Sequence, residues 1–182
     1  MEIVNEKKIK DKYNIPIATQ KFLLQLCWAR HDAQWYLKSK LRYGIEEANE
    51  LNQRVISSMG KIEARHILNA LSIKKGDIKT IPEMFKVMNT IMNVIIPKLM
   101  KFKFISLNEN EGLGIVEKCF IWKEVEKSKA ENEYVCACNF RHYGWLEAMG
   151  IKGKILPIKR FSNGDNCCEF KFILENDNNK KS

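Results

Sequence analysis

The spacing of apolar residues in this chain changes once, near Pro97, and that change limits the folds open to it. Before Pro97 apolar side chains recur every three or four residues, the period of a helix with one buried face; after it they begin to alternate. From Ala18 to Leu41, Leu24, Trp28 and Trp35 with Leu23, Cys27, Leu37 and Leu41 predict one long helix with a wide apolar face turned inward, ended at Tyr43-Gly44. A second helix is expected from Ile45, where Glu46 and Glu47 suit the positive end of its dipole. Its stripe runs Ala48, Leu51, Val55, Met59, Ile62, His66 and Ile73, with a break or kink expected at Gly60. Thr80-Ile81-Pro82-Glu83 has the form of a capping box and opens a third helix, with Met84, Phe85, Met88, Ile91, Met92 and Ile95 inward.

Past Pro97, Lys101-Phe102-Lys103-Phe104 alternates as a half-buried strand does. Asn108 to Gly114 is expected to turn the chain, and Ile115 to Val125 to return as the partner strand. Helical spacing resumes from Glu131 to Met149 and stops at Gly150 and Gly153. Two further alternating runs, Ile155 to Phe161 and Cys168 to Leu174, flank Ser162-Asn163-Gly164-Asp165, and Asn-Gly between such runs is a hairpin signal. Helices followed by strands, with one helix inserted, describe an α+β fold: an N-terminal helical layer packed on a mostly antiparallel four-stranded sheet. One domain is expected over residues 1–182, with a helical half (18–97), a Cys-rich α/β half (98–175) and a polar, disordered tail (176–182).

Nothing in the chain approaches the roughly 18 consecutive apolar residues of a membrane span. Its first eight residues are charged throughout and lack the apolar core of a secretion signal, so a cytoplasmic location without membrane association is expected. The formal charge of +9 raises the question of nucleic acid. Lysines, however, outnumber arginines about four to one and are spread over every segment, so nucleic acid is a disfavoured partner. No G-x-S-x-G, P-loop or G-x-G-x-x-G is present, and Gly112-Leu113-Gly114 is too short a match to indicate a nucleotide.

Six cysteines in such a chain are expected to be thiols, and five of them fall after residue 118. Cys138 and His142 are four apart on a predicted helix and so share a face, the spacing by which one helix offers two ligands to a metal. With Cys119 and Cys168 they make a candidate site for zinc or iron; the same residues also read as small buried hydrophobes, or as a reactive thiolate at Cys138. A second constellation lies on the two long helices. Asp32, Glu63 and His66 are candidate acid–base groups, and Arg65 a candidate anion holder that antiparallel helices could bring against Asp32. A structural ion pair between the helices is the alternative. Trp28, His31 and Trp35, with Tyr36, Tyr143 and Trp145, could wall a pocket for a flat ligand or simply form core.

The segments Trp28-Ala29-Arg30-His31-Asp32-Ala33-Gln34-Trp35-Tyr36, Tyr43-Gly44-Ile45-Glu46-Glu47-Ala48 and Lys61-Ile62-Glu63-Ala64-Arg65 resemble a family of small prokaryotic cytosolic proteins. Its pattern reads D-G-x-W-F, G-x-E-x-A and R-I-E-A-R. Cys138, with Gly164-Asp165-Asn166-Cys167-Cys168-Glu169-Phe170, resembles the related L-2-amino-thiazoline-4-carboxylic acid hydrolase family and, more weakly, the 4-vinyl reductase-type ligand-binding domain. Ala33, Tyr36 and Lys61 depart from the pattern, while Asp32, Trp35, Glu63 and Arg65 keep it. The resemblance implies an α+β chain with a small-molecule pocket between its helices and its Cys-bearing half. The expected function is binding of a small molecule, with hydrolysis of a C–N or C–S bond in a sulfur- or nitrogen-containing substrate. The alternatives are a non-catalytic ligand or metal sensor and, more remotely, nucleic-acid binding; a homodimer is an allowed assembly.

Overall fold

The computed structural model describes residues 14–175. The charged N-terminal octapeptide and the tail at 176–182, for which disorder is expected, lie outside the described residues. The chain runs α1 (Ile17–Tyr43), α2 (Ile45–Ala70), α3 (Ile81–Ile95), β1 (Lys101–Ser106), β2 (Glu111–Lys118), α4 (Phe120–Lys127), α5 (Cys138–Met149), β3 (Gly153–Lys159) and β4 (Cys168–Leu174). The four strands form one antiparallel sheet in the order β1-β2-β4-β3. The α+β expectation holds.

Local chemistry sets the element ends. Gly44, at φ +90°, separates α1 from α2 and turns the chain into an antiparallel helix pair. Thr80 caps α3 as expected: its Oγ1 accepts from Glu83 N, and the Glu83 carboxylate accepts from Thr80 N at 3.1 Å. The Met-rich face of α3 is buried from Met84 through Met92 and packs on the sheet around Phe85, Phe104 and Phe172. The core lies between α2, α3, α5 and one face of the sheet, with Trp145, Met149 and Phe172 fully enclosed.

Several sequence expectations change. Gly112 and Gly114 belong to β2 and not to a turn. A Cβ on Gly112 would collide with the Phe85 ring, and one on Gly114 would come within 2.9 Å of Phe172, so the two glycines let the aromatic layer press onto the strand. The partner strand ends at Lys118, and Phe120–Lys127 is helical, so two helices, not one, are inserted between β2 and β3. Cys119 starts that extra helix, its sulfur accepting from Trp122 N at 3.5 Å. The helix expected from Glu131 begins only at Cys138.

Gly60 does not break α2, which runs on from Ile45 to Ala70. It faces Gly144 of α5, and a Cβ on either residue would strike the other helix's backbone, at Arg141 O or Ser57 O. The pair brings two helix backbones into direct contact, with the Lys61–Glu147 ion pair (2.7 Å) beside it.

The largest correction concerns α1. Its wide apolar face is not inward: Leu23, Leu24, Trp28, Trp35, Leu37 and Leu41 are all exposed, and the side turned to the protein carries Gln25, Asp32 and Tyr36 with Phe22, Leu26 and Ala29. Polar pairing explains the choice. Gln25 Nε2 donates to Val94 O (2.7 Å), Lys21 Nζ to Asn93 O (2.7 Å), and Tyr36 Oη to Asn49 Oδ1 (2.9 Å). Likewise, α2 buries Ala48, Asn49, Gly60, Glu63, Ala64, Ile67 and Leu68, leaving Leu51, Val55, Ile62 and His66 of the expected stripe outside.

Candidate functional site

A pocket of about 60 Å³ opens where the end of α3, the end of β2, α4, the first turns of α5 and the start of β4 converge. One water needs about 10–15 Å³, so the space suits a small molecule. Most of its wall is apolar or aromatic: Met92, Ile96, Met100, Val116, Ile121, Trp122, Tyr134, Trp145, Phe161 and Phe170. Its polar side is made by Cys119, Cys136, Cys138, Asn139, Arg141, His142, Arg160, Ser162 and Cys168.

The expected sharing of a face by Cys138 and His142 is present: both line the pocket, together with Cys119 and Cys168. Among the described residues, however, no three His, Cys, Asp or Glu side chains are grouped closely enough to hold a metal ion. The thiols differ in charge state. Burial pushes the Cys119 thiol up to about 11 and also raises Cys168, so both stay protonated. Cys136 behaves differently: a hydrogen bond from the Cys138 thiol lowers its pKa, helped by the Cys138 backbone N–H and by Arg160 and Arg141, while Cys138 itself is raised. Of these two neighbouring thiols, Cys136 is the one whose thiolate is favoured.

Cys136 sits in the loop before α5, and that loop is tied to the first helix pair. Buried Asn49 accepts from Val135 N at 3.1 Å and donates to Glu133 O at 2.8 Å, while Lys40 pairs with the Glu133 carboxylate. The Tyr36 and Tyr134 rings meet edge to face at 5.5 Å on the same seam.

His142 stands among Trp145, Phe170 and Phe172, with ring centroids 5.1–5.6 Å away. Burial, with Arg141 adding to it, lowers its pKa to about 3, so the imidazole is neutral at physiological pH. Glu63, 4 % exposed, accepts from Trp145 Nε1 at 2.9 Å and lies 3.2 Å from Arg141 Nη2. Asp32 is half-buried; burial raises its carboxyl above the usual value, with Arg141 and His31 partly offsetting this. Asp32 and Glu63 do not line the pocket; Glu63 reaches it through Arg141.

Arg141, which sequence spacing did not single out, thus holds the position expected of Arg65. Arg65 is exposed because it lies about 160° around α2 from Glu63, on its outer side; His66, only about 60° from Glu63, is exposed as well. Trp28, His31 and Trp35 do come together, Trp35 Nε1 donating to His31 Nε2 at 3.2 Å, but on the exposed face of α1, away from the pocket. Tyr36 and Tyr143 do not line the pocket either, and Trp145 is the only one of the expected aromatics that does.

Among the described residues four buried polar atoms have no hydrogen-bond partner: Glu63 Oε1, Asn139 Oδ1, Arg141 Nε and His142 Nδ1. Three of these belong to residues in the first turns of α5, all lining the pocket. Arg160 also lines it and has no carboxylate partner among the described residues. Neither Cys136 nor Arg160 carried a sequence signal beyond the C-x-C spacing and the scarcity of arginine.

Comparison with solved structures gives the fold wider company. A trafficking protein particle complex subunit 3 from Naegleria fowleri, covalently bound to palmitic acid, superposes with a TM-score of 0.53 at 11% identity, over 87% of this chain and 97% of that one. An H-NOX domain from Shewanella oneidensis gives a TM-score of 0.46 at 14% identity, over 77% of this chain and 76% of that one. No curated protein matches the sequence. The family model of L-2-amino-thiazoline-4-carboxylic acid hydrolase matches residues 28–172, a span that contains every residue of the pocket, and the chain belongs to that family.

Proposed function

We propose that this protein binds a small molecule in the pocket and hydrolyses a C–N or C–S bond in it. The observation that carries the reading is the meeting of a thiolate-forming Cys136, a carboxylate-free Arg160 and unpartnered polar atoms on α5 in one pocket within the family-matched span. Arg160 would hold an anionic group such as a carboxylate, and Asn139 and His142 would fill their free hydrogen-bond positions with substrate or its bound water. The largely apolar wall favours a substrate whose remaining part is apolar or aromatic.

In this reading the Cys136 thiolate adds to the electrophilic carbon, and the C–N or C–S bond breaks as the departing heteroatom takes a proton from water. The hydroxide so left cleaves the bond between that carbon and the Cys136 sulfur and restores the thiolate, so one water is consumed in all. Neutral His142 and protonated Cys138 position the groups around the sulfur, and Glu63 holds Arg141.

The test is turnover of L-2-amino-thiazoline-4-carboxylic acid and of small aromatic amides and thioesters by the wild-type chain, by Cys136→Ser and by Arg160→Ala. Cys136→Ser should abolish turnover and Arg160→Ala should raise KM for carboxylate substrates. Wild-type turnover in a Cys136→Ser, Cys138→Ala double variant would sink the reading. Metal analysis of the untagged protein is its second arm. Stoichiometric zinc or iron that disappears in Cys138→Ser and His142→Ala would make the same side chains ligands rather than a nucleophile's surroundings.

A second reading, a binding module without turnover, is favoured by the apolar wall and by the palmitate-bound fold relative. It predicts ligand-induced protection of Cys136 from alkylation with no product formed.

A further inference from the structure

We infer that the outer face of α1 is the contact surface of a homodimer, in which the helix packs antiparallel against its own copy. At 100° per residue Ile17, Leu24, Trp28, His31 and Trp35 fall within about 60° of one another, with Leu23, Cys27 and Leu41 on one flank about 70–110° from the centre of that strip. The face is bare among the described residues: Leu24 is 71% exposed, Trp35 66% and Leu41 80%. Scaled by the areas of such side chains, α1 leaves on the order of 800 Å² of apolar surface in water. The largest apolar patch on a typical monomer is roughly 300–600 Å², whereas a standard interface takes about 800 Å² from each partner. The area therefore fits one protomer's share of a dimer.

A second copy is the occupant because the seam is complementary to itself. Positions 24, 28, 31 and 35 follow the 4-3-4 spacing of a coiled-coil seam. About a two-fold axis midway between Trp28 and His31, Trp28 of one copy meets His31 of the other, and Leu24 meets Trp35, as an isologous contact requires. The middle of this seam carries no full charge. Lys21 and Lys38, the next positions of the seam, flank it at either end, and Lys21 is turned to the Asn93 carbonyl. Gln25 and Asp32 border the seam on its other flank, about 70–90° from its centre; Gln25 is engaged within the protomer and Asp32 is half-buried there.

Sedimentation equilibrium on the full chain tests this, with the mass read between 1 and 100 μM. The expected mass is twice the 21.3 kDa of the chain. Leu24→Glu places a carboxylate against Trp35 at both symmetry-related positions and should give a monomer with an unchanged far-UV circular dichroism spectrum, since residue 24 is largely exposed within the protomer. Trp35→Lys should do the same. Mixing the two variants sets the introduced carboxylate of one chain against the introduced ammonium of the other and should restore a dimer. A wild-type monomer throughout the range overturns the inference, as does a dimer that Leu24→Glu leaves intact. Failure of the mixture to associate overturns the antiparallel seam.

Discussion

His142 ties the stability of the protein to pH in a direction that its surroundings fix. Its imidazole is held neutral in the folded chain, with a pKa lowered to about 3, against about 6.5 when unfolded. Between those values the unfolded state binds a proton that the folded state refuses. Stability is therefore complete above about pH 6.5 and falls as pH drops through that value. At 1.36 kcal/mol per pH unit, lowering the pH from 7 to 5 removes about 2 kcal/mol through this one group. The ring packs against Trp145, Phe170 and Phe172, and its Nδ1 has no partner to lose among the described residues, so His142→Phe keeps the aromatic packing and removes the titration. Urea unfolding of both proteins at pH 7 and pH 5 reads the effect, and the difference between them isolates it. Carboxylates common to both, including Asp32 with its raised pKa and opposite sign, drop out. The wild type should lose about 2 kcal/mol more than His142→Phe over that interval. Equal losses would refute the placement of a neutral histidine in this cage.

In a Cys27→Ser background, Cys136 should be the pocket thiol that iodoacetamide modifies first near neutral pH. Cys138→Ala should slow that modification several-fold by removing the hydrogen bond that favours the thiolate, as read by peptide mass spectrometry. Glu63→Ala should cost about 3–5 kcal/mol in urea unfolding, because it leaves the largely buried Arg141 guanidinium without its partner and Trp145 Nε1 without an acceptor. Gly144→Ala should destabilise by at least about 1–3 kcal/mol, since its methyl group meets the Ser57 carbonyl of α2. Asn49→Ala should leave the core folded while raising amide exchange at Val135, whose N–H would lose its acceptor.

Much of the architecture was legible in the sequence because periodicity and turn chemistry are local. The Thr80–Glu83 cap, the inward methionines of α3, the break at Gly44 and the β3–β4 hairpin around Asn163-Gly164 all follow from short windows. The errors share a cause. Gly112 and Gly114 read as turn residues, and Gly60 as a breaker, because a window of sequence shows a missing side chain but not the neighbour that requires it to be missing. That neighbour is the Phe85 ring, the Phe172 ring and the backbone of α5, respectively. The pocket was half legible. Cys138 and His142 share a helix face, so their spacing revealed them, whereas Cys136, Arg141 and Arg160 enter it through a loop, an ion pair and a strand end.

By itself, then, the sequence determined the three N-terminal helices and the strand-bearing second half, that the fold is α+β, and that thiols and ionisable groups would lie among apolar faces, but not the helix Phe120–Lys127. Hydrophobic period and capping act over a few residues, and both are written in the chain. Only the tertiary structure decided which face of each long helix is covered and which arginine answers Glu63. On α1 an apolar stripe and a polar stripe compete. The stripe that turns inward carries Gln25 and Tyr36 beside Phe22, Leu26 and Ala29, and Val94 O and Asn49, both outside the helix, satisfy its polar groups. Hydrogen-bond satisfaction is a property of neighbours in space, and for that reason the buried face could not be read from the helix alone.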